Sequence, residues 1–185
     1  MRGLRNEMGV SPAKVRAVFL DRDGVINKVV FRDNRPASPR SLDEFVFNNG
    51  IRQATRKLKD YGFKLIVVRN QPDLVRGEIK KGILDLMTQK IRWESPIDDV
   101  LICPHDDIHQ CFCRKPKPGM LLEAASRWRI DLPSSFLIGD TWKDIGAAEA
   151  AGCKAILLDA PYNQGVRCDF RVESLSEAVN LIIKT

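Results

Sequence analysis

The sequence has 185 residues, of which 44% are hydrophobic, and this is enough apolar material for one globular domain with its own core. These values exclude a disordered chain and a small disulfide-stapled scaffold, and no apolar run approaches the ~20 residues of a transmembrane helix. The formal net charge of +6 is compatible with anionic ligands, but the basic residues are scattered, which favours a small anion over nucleic acid.

The chain begins with a basic segment, residues 1–14, that lacks the apolar centre of a secretory signal. We interpret this segment as a flexible leader and residues 15–185 as one domain. Five cysteines, an odd number, favour a reducing compartment, so we expect a cytoplasmic location and, by default, a monomer.

From residue 15 onward, short apolar runs alternate with segments of helical period. In chain order, strands are predicted at residues 15–20, 63–68, 100–103, 135–138 and 154–158. Helices are predicted between them, at residues 51–61, 78–93, 120–128 and 141–151. This alternation is typical of a Rossmann-like α/β fold, with a doubly wound parallel sheet and helices on both faces. The long irregular segments, residues 27–49 and the Cys/His-rich stretch, are expected to be functional loops.

Polar side chains follow three of the predicted strands, namely Asp21 and Asp23, then Arg69, Asn70 and Gln71, and finally Asp140. Ligands of a doubly wound sheet bind beyond the carboxyl ends of its strands, so we expect these residues to converge. Alternate residues of an extended chain point the same way. Asp21 and Asp23 can therefore face one site with Arg22 turned aside.

The three aspartates Asp21, Asp23 and Asp140 predict a Mg²⁺ site, because this ion prefers oxygen ligands and relieves the repulsion between carboxylates. A carboxylate beside Mg²⁺ can attack phosphorus and form an aspartyl phosphate. A second acid two residues away can protonate the leaving oxygen and then activate water. Arg114 and Lys115, in the loop RKPKPGM, offer the positive charge that phosphoryl transfer requires.

A second group of metal ligands lies between residues 103 and 113, where Cys103, His105, Cys111 and Cys113 provide three thiolates and an imidazole. Such a Cys₃His set is typical of a closed, structural Zn²⁺ site. His109 is an alternative imidazole ligand. Because the loop leads directly into Arg114, we expect zinc to position the basic residues rather than to catalyse.

The motifs occur in the order DRDG-x-I-N, an apolar strand ending in NQ, C-x-H…C-x-C, RKPKPGM and IGDTWKD. As a set they resemble the haloacid dehalogenase superfamily, and within it the phosphatases similar to heptose-bisphosphate phosphatase and histidinol phosphatase. The resemblance covers most of the chain. It implies a single domain with a zinc loop in place of a large cap, and Mg²⁺-dependent hydrolysis of a small phosphomonoester.

The resemblance also implies roles for individual residues. Asp21 resembles the nucleophile and Asp23 the general acid and base. The Asp21 side chain, the Asp23 backbone carbonyl and Asp140 would hold Mg²⁺. Lys115 resembles the lysine that steadies the phosphoryl group, while Arg114 and Asn70 resemble substrate contacts. Lys143 or Asp144 is interpreted as a support of the metal loop, and Asp144 alternatively as a helix cap.

One position departs from the family pattern, since Arg69 stands where a Thr or Ser usually precedes NQ. A guanidinium could clamp the phosphoryl oxygens in place of the hydroxyl, but we expect it to slow turnover. A sugar bisphosphate such as D-glycero-D-manno-heptose 1,7-bisphosphate is the first substrate that the resemblance suggests. Histidinol phosphate and a nucleic-acid end are alternatives, and so is a weakly active phosphosugar-binding protein.

Overall fold

The computed structural model describes residues 13–185 of the chain. Residues 1–12, which contain most of the predicted leader, lie outside the described part. No helix among the described residues has the length and apolar character needed to cross a membrane.

The main sheet contains six parallel strands in the order β5, β4, β1, β6, β7, β8. Their bounds are β1 Ala17–Leu20, β4 Lys64–Asn70, β5 Asp99–Cys103, β6 Phe136–Gly139, β7 Lys154–Leu158 and β8 Phe170–Val172. The chain leaves β1 for β4 on one side and returns to β6 on the other. The strand order therefore reverses beside β1, which is where a doubly wound sheet binds its ligands.

Helices cover both faces of this sheet. Their bounds are α1 Ile51–Asp60, α2 Lys81–Glu94, α3 Gly119–Trp128, α4 Trp142–Ala151 and α5 Leu175–Lys184. Side chains alternate along β1, so Val18 and Leu20 pack in a core with α1, α2 and α5, whereas Ala17 and Phe19 pack in a core with α3 and α4. Burial on both faces explains why these strands are continuous apolar runs.

The predicted doubly wound fold is confirmed, and each predicted strand and helix corresponds to an observed element. Three parts of the chain differ from the prediction. Residues 27–49 contain a two-stranded antiparallel hairpin, β2 Val30–Arg32 and β3 Arg35–Ala37, where an irregular loop was expected. The sixth strand β8 and the final helix α5 were not predicted at all.

Candidate active site

Three carboxylates meet beside the carboxyl ends of β1 and β6. One oxygen of each of Asp21, Asp140 and Asp144 lies within 4.8 Å of the others. Asp21 follows β1 and Asp140 follows β6, so the parallel pairing of these strands brings the two residues together. Asp144 joins them from the first turn of α4, where its Oδ2 also accepts a hydrogen bond from the Thr141 hydroxyl at 2.6 Å. Asp144 is therefore both a helix cap and a member of the cluster.

A buried lysine lies against this cluster. Nζ of Lys115 donates to Oδ1 of Asp21 at 2.6 Å, to Oδ1 of Asp144 at 2.5 Å and to the Val68 carbonyl at 2.9 Å. Burial acts to lower the pKa of the ammonium, but Asp144 and Asp21 outweigh it and hold the pKa of Lys115 above its usual range. The lysine is therefore a fixed positive charge in the site.

The pKa values of two of these carboxyl groups are raised, because they are buried close to other negative charges. Burial, with Asp144 and Asp23 nearby, raises the pKa of Asp21 to about 7 despite the opposing effect of Lys115. Burial and the charges of Asp21 and Asp144 raise the pKa of Asp140 to about 8. Oδ1 of Asp140 is buried and has no hydrogen-bond partner within residues 13–185. A buried carboxylate oxygen without a hydrogen-bond partner, close to two other carboxylates, is a suitable ligand for a hard divalent cation. The cluster of Asp21, Asp140 and Asp144 therefore fits Mg²⁺.

Gly24 allows the chain after β1 to pass close to this cluster. Its φ is +84°, and a Cβ atom at this position would lie 2.0 Å from Oδ2 of Asp140. Because any side chain would displace the Asp140 carboxylate, the glycine of the DRDG motif is a steric requirement of the site.

Asp23 faces the same cleft but belongs to a different set of contacts. Its carboxylate accepts hydrogen bonds from Nε of Arg22 at 2.7 Å, Nη2 of Arg22 at 2.8 Å and Oγ of Ser38 at 2.7 Å. The Asp23 carboxylate therefore lies outside the group of three. Asp21, Asp23 and Asp140 line one cleft, as strand alternation predicts, but the third carboxylate that lies closest to Asp21 and Asp140 is that of Asp144, while the fully buried Arg22 pairs with Asp23.

Asn70 supports the loop that carries Lys115. Its Oδ1 accepts from the Lys115 backbone N–H and its Nδ2 donates to the Lys115 carbonyl, both at 3.0 Å. Asn70 also lines the cleft. The side chain thus fixes the end of β4 to the basic loop at the position where the resemblance predicts a substrate contact.

Arg69 is not among the residues that line the cleft, unlike its neighbour Asn70. Its side chain is 1% exposed, and no guanidinium nitrogen has a hydrogen-bond partner in the described part of the chain. Adjacent residues of a strand point to opposite faces of a sheet, which explains the separation. This placement does not support the phosphoryl clamp that we expected, and we leave Arg69 out of the proposed substrate contacts.

The short helical turn Pro161–Asn163 after β7 supports Asp140 from behind. The Tyr162 hydroxyl donates to Oδ2 of Asp140 at 2.5 Å, and Nδ2 of Asn163 donates to the Asp140 backbone carbonyl at 2.8 Å. The Tyr162 ring packs edge-on against Phe31 of the hairpin, with ring centroids 6.2 Å apart. Phe31 of the hairpin thus contacts Tyr162, which binds Asp140. Ser38, the residue after the second strand of the hairpin, donates a hydrogen bond to Asp23.

A cleft of about 320 Å³ opens beside these groups. The hairpin region contributes Val29, Pro36, Ala37, Ser38 and Arg40 to its wall. Further cations line it in addition to Lys115, namely Arg76, Arg114 and Lys143. The cleft therefore combines an acidic floor that suits a cation with a basic wall that suits an anion.

The four predicted zinc ligands come together in the loop after β5. The sulfur atoms of Cys103, Cys111 and Cys113 lie 3.3 to 3.5 Å apart, and Nδ1 of His105 lies 3.4 Å from the Cys113 sulfur and 3.7 Å from the Cys103 sulfur. Ligand atoms of a tetrahedral Zn²⁺ site are roughly 3.6 Å apart. The donor set and its spacing fit zinc.

His109 has a different role from His105. Its Nδ1 accepts a hydrogen bond from the Asp106 backbone N–H at 3.0 Å, which caps the short turn Asp107–His109. His109 therefore stabilises this turn, and His105 is the imidazole that lies with the three cysteines. Arg114, the residue after Cys113, donates to Oδ1 of Asp107 at 2.6 Å and to the His105 carbonyl at 3.0 Å, so it is tied to the Cys/His loop.

Sequence reasoning missed Arg22, Ser38, Tyr162 and Asn163 as contributors to the site. Tyr162 and Asn163 follow the carboxyl end of β7, so the strand-end rule that identified Asp140 also applies to them. Arg22 was expected to turn aside from the cleft, which it does, but its pairing with Asp23 was not expected. Nothing local in the sequence indicates that Ser38 reaches Asp23.

The fold and the acidic cluster at its switch point define a class of protein, the hydrolases with a haloacid dehalogenase fold. A family model described as HAD-hydrolase-like matches residues 112–166, which include Lys115, Asp140 and Asp144. A solved structure of D,D-heptose 1,7-bisphosphate phosphatase from B. bronchiseptica, complexed with magnesium and phosphate, superposes with a TM-score of 0.81. It is 28% identical, and the match covers 92% of this chain and 99% of that one.

Sequence comparison shows to which family of haloacid dehalogenase hydrolases the chain belongs. D-glycero-beta-D-manno-heptose-1,7-bisphosphate 7-phosphatase of Escherichia coli K12 is 38% identical over 149 residues, which is 74% of this chain and 75% of the relative. The alpha-anomer enzyme of Photorhabdus laumondii is 36% identical over 151 residues, covering 75% and 79% of the two chains. The chain belongs to the family of these heptose-bisphosphate phosphatases within the haloacid dehalogenase superfamily, and it is a phosphatase.

Proposed function

We propose that this phosphatase removes one phosphate group from a small sugar bisphosphate, with D-glycero-D-manno-heptose 1,7-bisphosphate as the first substrate to test. The observation that carries the proposal is the basic wall of the cleft, where Arg40, Arg76, Arg114 and Lys143 add to Lys115. These four cations lie on the cleft wall apart from Lys115, so a second phosphate group of a substrate has basic side chains to contact beyond the acidic cluster. The relatives are named for both anomers, so we leave the anomer open.

Asp21 is the proposed nucleophile. One of its oxygens forms a bond to phosphorus as the bond from phosphorus to the sugar oxygen breaks, which gives an aspartyl phosphate and the dephosphorylated sugar oxygen. Asp23 gives its proton to that leaving oxygen. It then takes a proton from the water that attacks phosphorus, and this second displacement releases inorganic phosphate and regenerates the Asp21 carboxylate.

Several neighbours would keep these two acids in place. Arg22 and Ser38 hold the Asp23 carboxylate through three hydrogen bonds. Lys115 holds one oxygen of Asp21 and offers positive charge for the phosphoryl oxygens. Arg114 and Asn70, which both line the cleft, are the proposed substrate contacts.

Asp21, Asp140 and the backbone carbonyl of Asp23 are the proposed ligands of Mg²⁺, which when bound would neutralise charge on the phosphoryl oxygens. Asp144 supports this set through Lys115. Cys103, His105, Cys111 and Cys113 are the proposed ligands of a structural Zn²⁺. Their loop holds Arg114 through the His105 carbonyl, so its proposed role is to position the basic residues.

The test is release of inorganic phosphate from a panel that contains heptose 1,7-bisphosphate, fructose 1,6-bisphosphate, a hexose monophosphate, histidinol phosphate and a 5′-phosphorylated oligonucleotide. We expect the highest kcat/KM for the heptose bisphosphate in the presence of Mg²⁺. Asp21→Asn should abolish release while the variant still folds. Equal turnover of monophosphates and bisphosphates would contradict the proposed substrate class.

A further inference from the structure

The cations that line the cleft differ in how they are paired. Arg76 forms a two-pronged ion pair with Asp106, in which Nε and Nη2 lie 2.6 Å and 2.9 Å from the two carboxylate oxygens. Arg114 pairs with Asp107 at 2.6 Å. These two guanidinium groups therefore already have a carboxylate partner that balances their charge.

Arg40 and Lys115 are also engaged. Arg40 donates to Glu78 and lies 3.5 Å from a carboxylate oxygen of Asp73, although its buried Nε has no partner in the described chain. Lys115 is shared between Asp21 and Asp144, deep in the site. The charge of each residue is thus compensated before a substrate arrives.

Lys143 is the exception on this wall. Within residues 13–185 its ammonium group takes part in no hydrogen bond and no ion pair, and its ring contact with Trp142 is a distant one at 5.8 Å. It contributes to the field around Asp107 without contacting it. The residue is half-buried and lines the cleft, so its charge is available to a ligand.

The position of Lys143 in the chain places this charge beside the reacting groups. It lies in the first turn of α4, one residue before Asp144 and three after Asp140. One turn of helix is about 5.4 Å long, so the lysine stem starts next to the acidic cluster. The side chain is a flexible point charge that can follow a phosphate group at the rim.

We propose that Lys143 binds the phosphate group of the substrate that is not hydrolysed. This assignment rests on the proposed function, since it requires a substrate with two phosphates. An interaction with a phosphate remote from the reacting atoms raises kcat/KM for bisphosphates and offers nothing to monophosphates. Lys143 is then the residue on this wall that distinguishes the two substrate classes.

The experiment compares kcat/KM for a sugar bisphosphate and for the monophosphate of the same sugar, in the unaltered protein and in Lys143→Met. Methionine keeps the length of the side chain and removes its charge. We expect the loss on the bisphosphate to exceed the loss on the monophosphate by about 10- to 100-fold, as for a hydrogen bond between charged groups. Lys143→Arg should recover part of the bisphosphate activity.

Lys184→Met is the matched control. Lys184 is an exposed lysine in the last turn of α5, and it is not among the residues that line the cleft. Its removal changes the net charge equally and should leave the ratio of the two kcat/KM values unchanged.

The outcomes separate the two proposals. If the unaltered protein does not prefer bisphosphates, the proposed function fails and the role of Lys143 fails with it. If the preference exists and persists in Lys143→Met, only the assignment of Lys143 is overturned. Equal losses on both substrates would also overturn it, because they would indicate a general electrostatic effect.

Discussion

The Tyr162 hydroxyl donates a hydrogen bond to Oδ2 of Asp140, and Oδ1 of the same carboxylate is left buried without a partner in the described chain. This hydrogen bond fixes the rotation of the Asp140 carboxylate about χ2. One oxygen of this carboxylate lies within 4.8 Å of oxygens of Asp21 and Asp144. A residue 22 positions away in sequence thus orients the proposed metal ligand.

Removing this hydroxyl should weaken metal binding. We expect Tyr162→Phe to raise the Mg²⁺ concentration for half-maximal phosphatase activity by about tenfold, as is usual for a lost partner of a metal ligand. The measurement is a Mg²⁺ titration of initial rates at saturating substrate. Tyr61→Phe, at an exposed tyrosine that follows α1, is the control. An unchanged midpoint in Tyr162→Phe would reduce Tyr162 to a packing residue.

The stability of the Mg²⁺-free protein should fall as the pH rises from about 4 to 8. The pKa values of Asp21 and Asp140 are raised to about 7 and about 8 in the fold from an ordinary 3.8, so in this range the folded state binds more protons than the unfolded state. The free energy of unfolding therefore decreases with pH. Thermal unfolding at pH 5 and pH 8 tests this, and added Mg²⁺ should raise Tm more at pH 8.

Asp140→Asn provides the control for that prediction, because it removes one of the two titrating groups. The fall in Tm between the two pH values should be smaller in this variant. The same fall in both proteins would assign the effect to other groups.

Loss of a proposed zinc ligand should remove the metal and loosen the basic loop. We expect Cys111→Ser to lower the zinc content measured by elemental analysis from about one ion per chain to near zero, and to lower Tm. Because the Cys/His loop holds Arg114, KM should rise as well. Cys168→Ser is the control, since Cys168 is also partly buried but is not among the four clustered ligands. Full zinc content in Cys111→Ser would contradict the assignment.

Arg69 is predicted to destabilise the fold. A buried guanidinium without hydrogen-bond partners carries an uncompensated desolvation cost, so Arg69→Met should increase the free energy of unfolding by on the order of 1–3 kcal/mol. Urea denaturation measures the change. Arg69→Thr, which restores the usual family residue, tests turnover in addition. A decrease in stability in Arg69→Met would mean that the guanidinium has a partner in solution.

The sheet and its order of motifs could be predicted from sequence because the strands are buried on both faces and appear as apolar runs bounded by polar residues. The clustering of Cys103, His105, Cys111 and Cys113 could be predicted because all four lie within one loop. That Asp21, Lys115 and Asp140 lie together could be predicted because each belongs to a motif whose residue types serve phosphoryl transfer.

The remaining features depend on contacts between distant parts of the chain. The hairpin Val30–Ala37 is short and partly exposed, so it has no strong apolar pattern. Strand β8 has only three residues. The direction of the Arg69 side chain follows from the register of β4, which a motif alignment cannot reveal. The bond between Ser38 and Asp23 is created when the hairpin folds over the end of β1.

The pairing of Lys115 with the acidic cluster also has a consequence for the sequence of binding events. Once Asp21, Asp140 and Asp144 are all ionised, these three carboxylates and the Lys115 ammonium leave the floor of the cleft with two surplus negative charges, which attract a divalent cation and repel a phosphate dianion. A bound divalent ion would cancel this surplus. On the proposed function, we therefore expect the metal to bind before the phosphorylated substrate.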